Sequence, residues 1–284
     1  MVKPCILDQI KNVKEAAVKY PEYEHSLSLV LSLLIILKPL DAQPTKGLKV
    51  VWRELIPRCI QRINEGRPAV TALKASMFDE QAVMKVYQQA TTVMMGYQPN
   101  NNNLKVFYDA LLRKEIDVTD VVVAIVNEDV EWFINCGEQY NVDPSTLFLI
   151  SSLPIQPLLE EVARRIDSQI LNQWWQTTCP ICARKPFIAW MMNGKKMLTC
   201  SFCGAQYLSD LFICVNCGNT DPYLLGFMSF KNLSGVQIDF CKKCGNYVKV
   251  LNYNECHDKI ARGLEDYLTV DADTYASEAG LNRI

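Results

Sequence analysis

Eight of the twelve cysteines stand in four C-x-x-C pairs: Cys179/Cys182, Cys200/Cys203, Cys214/Cys217 and Cys241/Cys244. This step bends a chain until both sulfurs face one ion, and a hairpin between two such knuckles closes a tetrahedron of thiolates. The spacing repeats one plan twice. The knuckles are 17 residues apart in the first copy and 23 in the second. Sequential pairing gives one site of Cys179, Cys182, Cys200 and Cys203, and another of Cys214, Cys217, Cys241 and Cys244. Crossed pairing, first knuckle with third and second with fourth, stays open on spacing alone. Thioredoxin-like redox pairs fit poorly, because such a motif occurs once beside a βαβ unit, not four times on hairpins.

Between the knuckles lie strand pairs. Phe187–Met192 and Lys195–Thr199 flank Asn193-Gly194, a dipeptide that takes the two positive φ values of a tight hairpin turn. Leu224–Phe230 and Val236–Phe240 flank a looser turn with Asn232, Ser234 and Gly235, and Val236, Ile238 and Phe240 alternate as on a half-buried strand. Gly204, Gly218 and Gly245 come directly after three knuckles, and Ala183 takes that place in the first.

Residues 1–172 contain no C-x-x-C and read as helical. Ile6, Ile10, Val13 and Ala17 recur at helical steps, and Pro21 ends that helix. Leu27–Leu37 is apolar nearly all round and is expected to be the central core helix, since it is too short to span a bilayer. Pro39, Pro44 and Gly47 break the next stretch, and a helix from Val51 is expected to be bent or interrupted at Pro57. Asp79 caps a helix that Gly96 stops, Gln98–Asn103 is a polar loop, and Thr119 caps a helix running towards Tyr140. Asp143-Pro144 starts another, and a last one from Pro157 carries Leu158, Val162, Ile166 and Ile170 towards Trp174-Trp175. The expected fold is α+β: a helical domain at 1–172, two tandem rubredoxin-like (zinc-ribbon) modules at 173–210 and 211–253, and an acidic helical tail at 254–284.

Charge narrows the function. The formal net charge is -2, with 29 basic and 31 acidic residues. Residues 173–252 alone carry +5, but two sites of four thiolates around a divalent ion would carry -4. Lys195-Lys196 and Lys242-Lys243 therefore read as solvent-facing residues offsetting thiolate charge, and no arginine stripe or aromatic ladder supports a nucleic-acid surface. No positive leader precedes the apolar run, so a reducing cytoplasm is expected, where paired thiols bind metal. Four sulfurs suit zinc or rubredoxin-type iron, and a closed four-thiolate site leaves no open position for hydrolysis. Cys5, Cys59 and Cys136 read as small helical core residues, His257 as a surface residue and not a ninth ligand, Trp174-Trp175 as packing between helices and ribbon, and the acids around Asp266 as a solvated face.

The knuckles Cys179-Pro180-Ile181-Cys182, Leu198-Thr199-Cys200-Ser201-Phe202-Cys203, Cys214-Val215-Asn216-Cys217-Gly218-Asn219-Thr220 and Cys241-Lys242-Lys243-Cys244-Gly245-Asn246-Tyr247 resemble, in order and spacing, the formate dehydrogenase accessory protein family, FdhE. Glu265–Thr269 and Glu278–Leu281 resemble that family's C-terminal segment. The specific match covers about a third of the chain. Ala183 and Tyr207 depart from the pattern, and the tail ends soon after Gly280. The resemblance implies a cytoplasmic maturation factor, not an enzyme, whose partner is the catalytic subunit of a formate dehydrogenase and whose four-cysteine sites hold iron. A rubredoxin-like electron carrier and a nucleic-acid-binding ribbon protein are the rival readings.

Overall fold

A computed structural model describes residues 3–41, 51–97, 103–127 and 129–283. Its helices are α1 (Ile6–Lys19), α2 (Glu24–Asp41), α3 (Trp52–Asn64), α4 (Glu80–Tyr97), α5 (Asn103–Leu112), α6 (Val118–Val126), α7 (Val130–Tyr140), α8 (Pro144–Ser152), α9 (Gln156–Arg165) and the single turn α10 (Ser168–Leu171). The strands are β1 (Ile188–Met192), β2 (Lys195–Thr199), β3 (Gln206–Ser209), β4 (Leu225–Ser229), β5 (Val236–Cys241), β6 (Asn246–Asn252) and β7 (Asn282–Arg283). A turn α11 (Tyr253–Cys256) and helix α12 (Val270–Glu278) lie between β6 and β7. The expected order of helices, two cysteine-knuckle hairpins and a short C-terminal helix is the order found.

Short polar side chains end and begin these helices. Asp143 accepts from the Thr146 N–H at 2.7 Å, as expected, and Asp79 accepts from Ala82 at 3.0 Å. Pro57 lies inside α3 without ending it, and α4 runs through Gly96 to Tyr97. The cap of α6 is Asp117, which accepts from Thr119. The helix expected to reach Tyr140 is two helices, because Asp129 accepts from Trp132 and starts α7 afresh. The helix expected from Pro157 through Ile170 also divides, because Asp167 caps α10. The stretch 98–102, Pro44 and Gly47 fall outside the described residues.

Helix α2 is not buried all round. It packs on α1, α4 and α9 through Leu27, Leu34, Ile36 and Leu37, while Ile35 is 52 % exposed. By length and composition this segment is long and apolar enough to cross a membrane.

Among the described residues, the strands make one sheet in the order β3-β2-β1-β6-β5-β4, with β7 beside β6. The two hairpin modules are thus not separate beads. Parallel pairing of β1 with β6, Ile188 opposite Lys249 through Met191 opposite Asn252, fuses them. Alternation along the strands then sorts side chains to two faces. One face, with Ala189, Leu198, Tyr207, Val248 and Val250, joins the core of the helical region. The other, with Ile188, Trp190, Ile238, Tyr247 and Leu251, is covered by Cys256, Ile260, Ala272 and Ala276 of the C-terminal segment. The apolar core runs without a break from Ile6 across residue 172 to Cys179, Cys203 and Leu264.

Buried ion pairs tie these layers together. Lys249 on β6 is fully buried and reaches Asp266 and Asp273, each at 2.7 Å. Glu265 accepts from the Gly263 N–H and lies 3.2 Å from Arg262, and Arg283 reaches Asp266 at 2.5 Å. The acids around Asp266 are therefore not a solvated face. They hold the C-terminal segment to the sheet. Lys196, read from sequence as solvent-facing, is 2 % exposed and pairs with Asp239 of β5 at 2.6 Å, linking module one to module two.

Candidate metal centres

Each knuckle is the same small turn. The N–H after the second cysteine donates to the carbonyl of the first: Ala183 to Cys179 and Gly204 to Cys200 at 2.9 Å, Gly218 to Cys214 at 2.9 Å, Gly245 to Cys241 at 2.8 Å. That bond requires a left-handed backbone after the second cysteine. Gly204, Gly218 and Gly245 have φ of 73°, 69° and 72°, and Ala183 takes 64° despite its Cβ. Asn193 and Gly194, at 50° and 72°, make the hairpin turn that swings β2 back and brings the second knuckle against the first.

The sulfurs gather by sequential pairing. Cys179, Cys182, Cys200 and Cys203 form one group and Cys214, Cys217, Cys241 and Cys244 the other, each with all sulfurs within 4.8 Å of one another. Individual separations are 3.5 Å (Cys179 to Cys203), 3.4 Å (Cys182 to Cys200), 3.6 Å (Cys214 to Cys244) and 3.9 Å (Cys217 to Cys241). A tetrahedral ion with metal–sulfur bonds of about 2.3 Å needs sulfurs about 3.8 Å apart. A disulfide needs about 2.05 Å. The donor set and spacing fit a four-sulfur ion. His257 stays outside both groups, stacked on Tyr253 at 4.5 Å. Cys59 and Cys136 are buried in the helical core, and Cys5 is half-buried beside Asp8.

Burial and mutual hydrogen bonding perturb the thiols of both groups. In the first group burial drives the Cys179 and Cys203 thiols well up, whereas hydrogen bonds from Cys179, Cys182 and Cys203 hold Cys200 well below the thiol range. In the second group burial pushes Cys214 up to about 12. Burial alone would raise Cys244, but the Asn246 N–H, Asn216 and the Cys214 and Cys217 thiols together outweigh it, and the value falls to about 7.

The surroundings of the two groups differ. All four sulfurs of the first are buried, and the helical region encloses them. Ala69 and Val70 N–H groups donate to Pro180 and Ile181 carbonyls at 2.8 Å. Arg184, between the knuckles, donates to Ser152 at 2.6 Å and stacks on Phe202 at 3.5 Å and Phe148 at 4.4 Å. Lys3 pairs with buried Glu160 at 2.7 Å and donates to the Ser201 and Phe202 carbonyls at 3.3 and 3.2 Å. In the second group Cys217 is exposed and Cys244 half-buried. Trp174 packs in the core with its indole N–H on Thr178, but Trp175 is 78 % exposed, so only the first of the pair joins helices to ribbon.

A helical lobe fused to a sheet that presents two four-cysteine groups defines a ribbon protein of mixed architecture with two candidate metal centres. No protein-family model matches the chain. It is 28 % identical over 230 residues to the protein FdhE homolog of Aquifex aeolicus, covering 78 % of this chain and 74 % of that protein. The FdhE homolog of Stutzerimonas stutzeri is 27 % identical over 114 residues, 38 % of this chain and 36 % of that one. The crystal structure of the FdhE protein from Pseudomonas aeruginosa superposes with a TM-score of 0.65 over 98 % of this chain and 93 % of that chain; at 18 % identity this shows the fold. The chain is FdhE-like in sequence and fold, and the resemblance seen in the knuckles extends well beyond them.

Proposed function

We propose that the chain is a cytoplasmic maturation factor that binds the catalytic subunit of a formate dehydrogenase and assists its assembly, without turnover of its own. The observation that carries this is sequence similarity to an FdhE homolog over most of the chain, together with two four-cysteine groups of metal-binding geometry. Cys179, Cys182, Cys200 and Cys203 hold one ion, and Cys214, Cys217, Cys241 and Cys244 a second, iron or zinc. Bound there, the ion supplies a rigid four-way cross-link and, if iron, a one-electron couple. The chain's own residues supply the thiolates and the turn N–H groups beneath them. Supporting a non-catalytic role, each group commits four sulfurs to an ion and leaves no coordination position for substrate. Pull-down from a native lysate with elemental analysis of the purified chain tests the reading. It requires the catalytic subunit in the eluate and two metal ions per chain; absence of either overturns that part.

The exposure of Cys217 favours one second reading, a rubredoxin-like electron carrier working through the second site. It requires iron at that site and a reversible one-electron wave by voltammetry.

A further inference from the structure

Strand β4 is one end of the sheet, and among the described residues only β5 pairs with it. Its outer row of backbone N–H and C=O groups is therefore free for another strand. The opposite end, β3, is different: α10 packs on it, and Tyr207 donates to the Thr177 carbonyl.

Beside β4 lies a cleft of about 450 Å³. Leu225 and Phe227 of β4 form one wall, and Leu211 and Phe212 of the segment joining the modules form the other. Phe212 and Phe227 are each 71 % exposed and Leu211 46 %. The register explains the floor. Phe227 stands opposite Asp239 and Leu225 opposite Cys241, so the apolar side chains of β4 share a face with the buried Lys196–Asp239 pair. That face, covered by helices at the other end of the sheet, is uncovered here. On the other face of β4, Gly226 leaves room for the Phe240 ring, from which a Cβ would fall 2.5 Å.

Charge indicates what would cover it. Lys231 lies just beyond β4, is exposed and forms no ion pair among the described residues. At the other end Lys242 is held to the strand by its N–H on the Leu224 carbonyl, 2.7 Å, with exposed Lys243 beside it. Asp221, whose carbonyl accepts from the Leu224 N–H, is exposed as well. A second copy pairing β4 against β4 about a two-fold axis would set Lys231 of each against Lys242 and Lys243 of the other, and like charges oppose it. Carboxylates flanking an extended segment would instead find partners there.

The geometry points to β4 as a docking edge for an extended segment of a partner polypeptide, with apolar residues at alternate positions and an acidic residue at each end. The added strand takes its hydrogen bonds from β4 and sets every second side chain into the Phe212–Phe227 cleft. The partner being the proposed client rests on the functional reading above; the docking edge does not.

The probe is a fluorescent ten-residue peptide of alternating valine and threonine with two terminal glutamates, compared with the same peptide carrying two lysines. The full chain should bind the glutamate peptide at least tenfold more tightly. Amides of 225–229 should gain protection from hydrogen exchange, and peptide binding should not join two chains through β4. Phe227→Asp, at an exposed position, should weaken binding at least tenfold with metal content and circular dichroism unchanged. No binding, no protection at β4, indifference to Phe227→Asp, or a dimer joined through β4 would each overturn the proposal. Pull-down with both proteins separates the two readings. Equal capture of formate dehydrogenase by wild type and Phe227→Asp sinks the docking of that client at β4 and leaves the function. Peptide protection of β4 with no capture sinks the function and leaves the edge.

Discussion

The two four-cysteine groups are built from the same turn but sit in different solvents. The first has four buried sulfurs and shares its core with the helices; the second leaves Cys217 exposed and Cys244 half-buried. The knuckles themselves do not cause this. Contacts from far away in the chain do, above all the Ala69–Val70 turn, Arg184 between two aromatic rings, and Lys3 over the second knuckle. The lesson is that one local motif can serve as a buried cross-link in one module and as a surface site in the next. On the proposed ligation, the first ion is part of the fold and the second is within reach of solvent.

The largest expected contrast comes from removing one ligand at each site. Structural metal in small ribbons contributes about 10–16 kcal/mol of apparent binding free energy. Cys182→Ser should lose one ion and, because its site lies within the shared core, lower the melting temperature and loosen the helices around Ala69 and Ser152. Cys217→Ser should lose one ion and leave those helices protected. Elemental analysis with hydrogen exchange reads both. Equal disturbance of the helices by the two variants would break the comparison.

The next effect concerns the buried lysines. Lys3→Met strands Glu160, which is 1 % exposed, with only the Gln9 and Gln156 amides for partners. Removing one partner of a buried pair costs about 3–5 kcal/mol. Lys196→Met leaves Asp239 a quarter exposed and still hydrogen-bonded to Gln237, so its cost should be smaller, about 1–3 kcal/mol. Urea midpoints measure both. Burial alone would lower the Lys3 ammonium, but the charge and hydrogen bond of Glu160, with smaller contributions from Tyr267 and Cys200, together outweigh it and the folded value is raised. A raised lysine value gives stability that is complete below its unfolded value, about 10.4, and lost as pH climbs through the folded one. The gap between wild type and Lys3→Met should therefore stay level from neutral pH to about pH 9 and close only above about pH 10.4.

Glycine positions sharpen the contrast further. Gly204 and Gly218 hold equivalent places with φ of 73° and 69°, but a Cβ at Gly204 would lie 2.2 Å from the Lys3 Cβ, whereas nothing lies within 4 Å at Gly218. Gly218→Ala should cost only the left-handed backbone, about 1–2 kcal/mol. Gly204→Ala should cost more, since it displaces Lys3. The smallest effect has the opposite sign: Ala183→Gly removes that backbone cost and should stabilise by about 0.5–1 kcal/mol, less than the strain because glycine also loosens the unfolded chain. Thermal melts of the three variants rank them.

Legibility in the sequence divides along the same line, between local and distant. The knuckles, the Asn193-Gly194 hairpin and the Asp143 cap are encoded within a few residues, and they stand where the pattern places them. The division between α6 and α7 was also local, in Asp129, but the apolar run masked it. The fusion of the modules into one sheet was not legible, because β1 and β6 meet through parallel pairing across some 60 residues with no turn to announce it. Nor was the burial of Lys196 and Lys249. A lysine on a strand reads as surface until its carboxylate is known, and the partners of Lys249 lie 17 and 24 residues on. The enclosure of the first site depends on Lys3 finding Glu160, 157 residues away.

The central claim, two single-ion sites of unequal enclosure, is tested most directly by following metal loss to a chelator by native mass spectrometry. The wild type should pass through a populated one-metal state. Cys217→Ser should lack the fast phase and keep the slow one, and Cys182→Ser should keep only the fast one. Loss of both ions in a single step, or a fast phase that belongs to the first site, would contradict it.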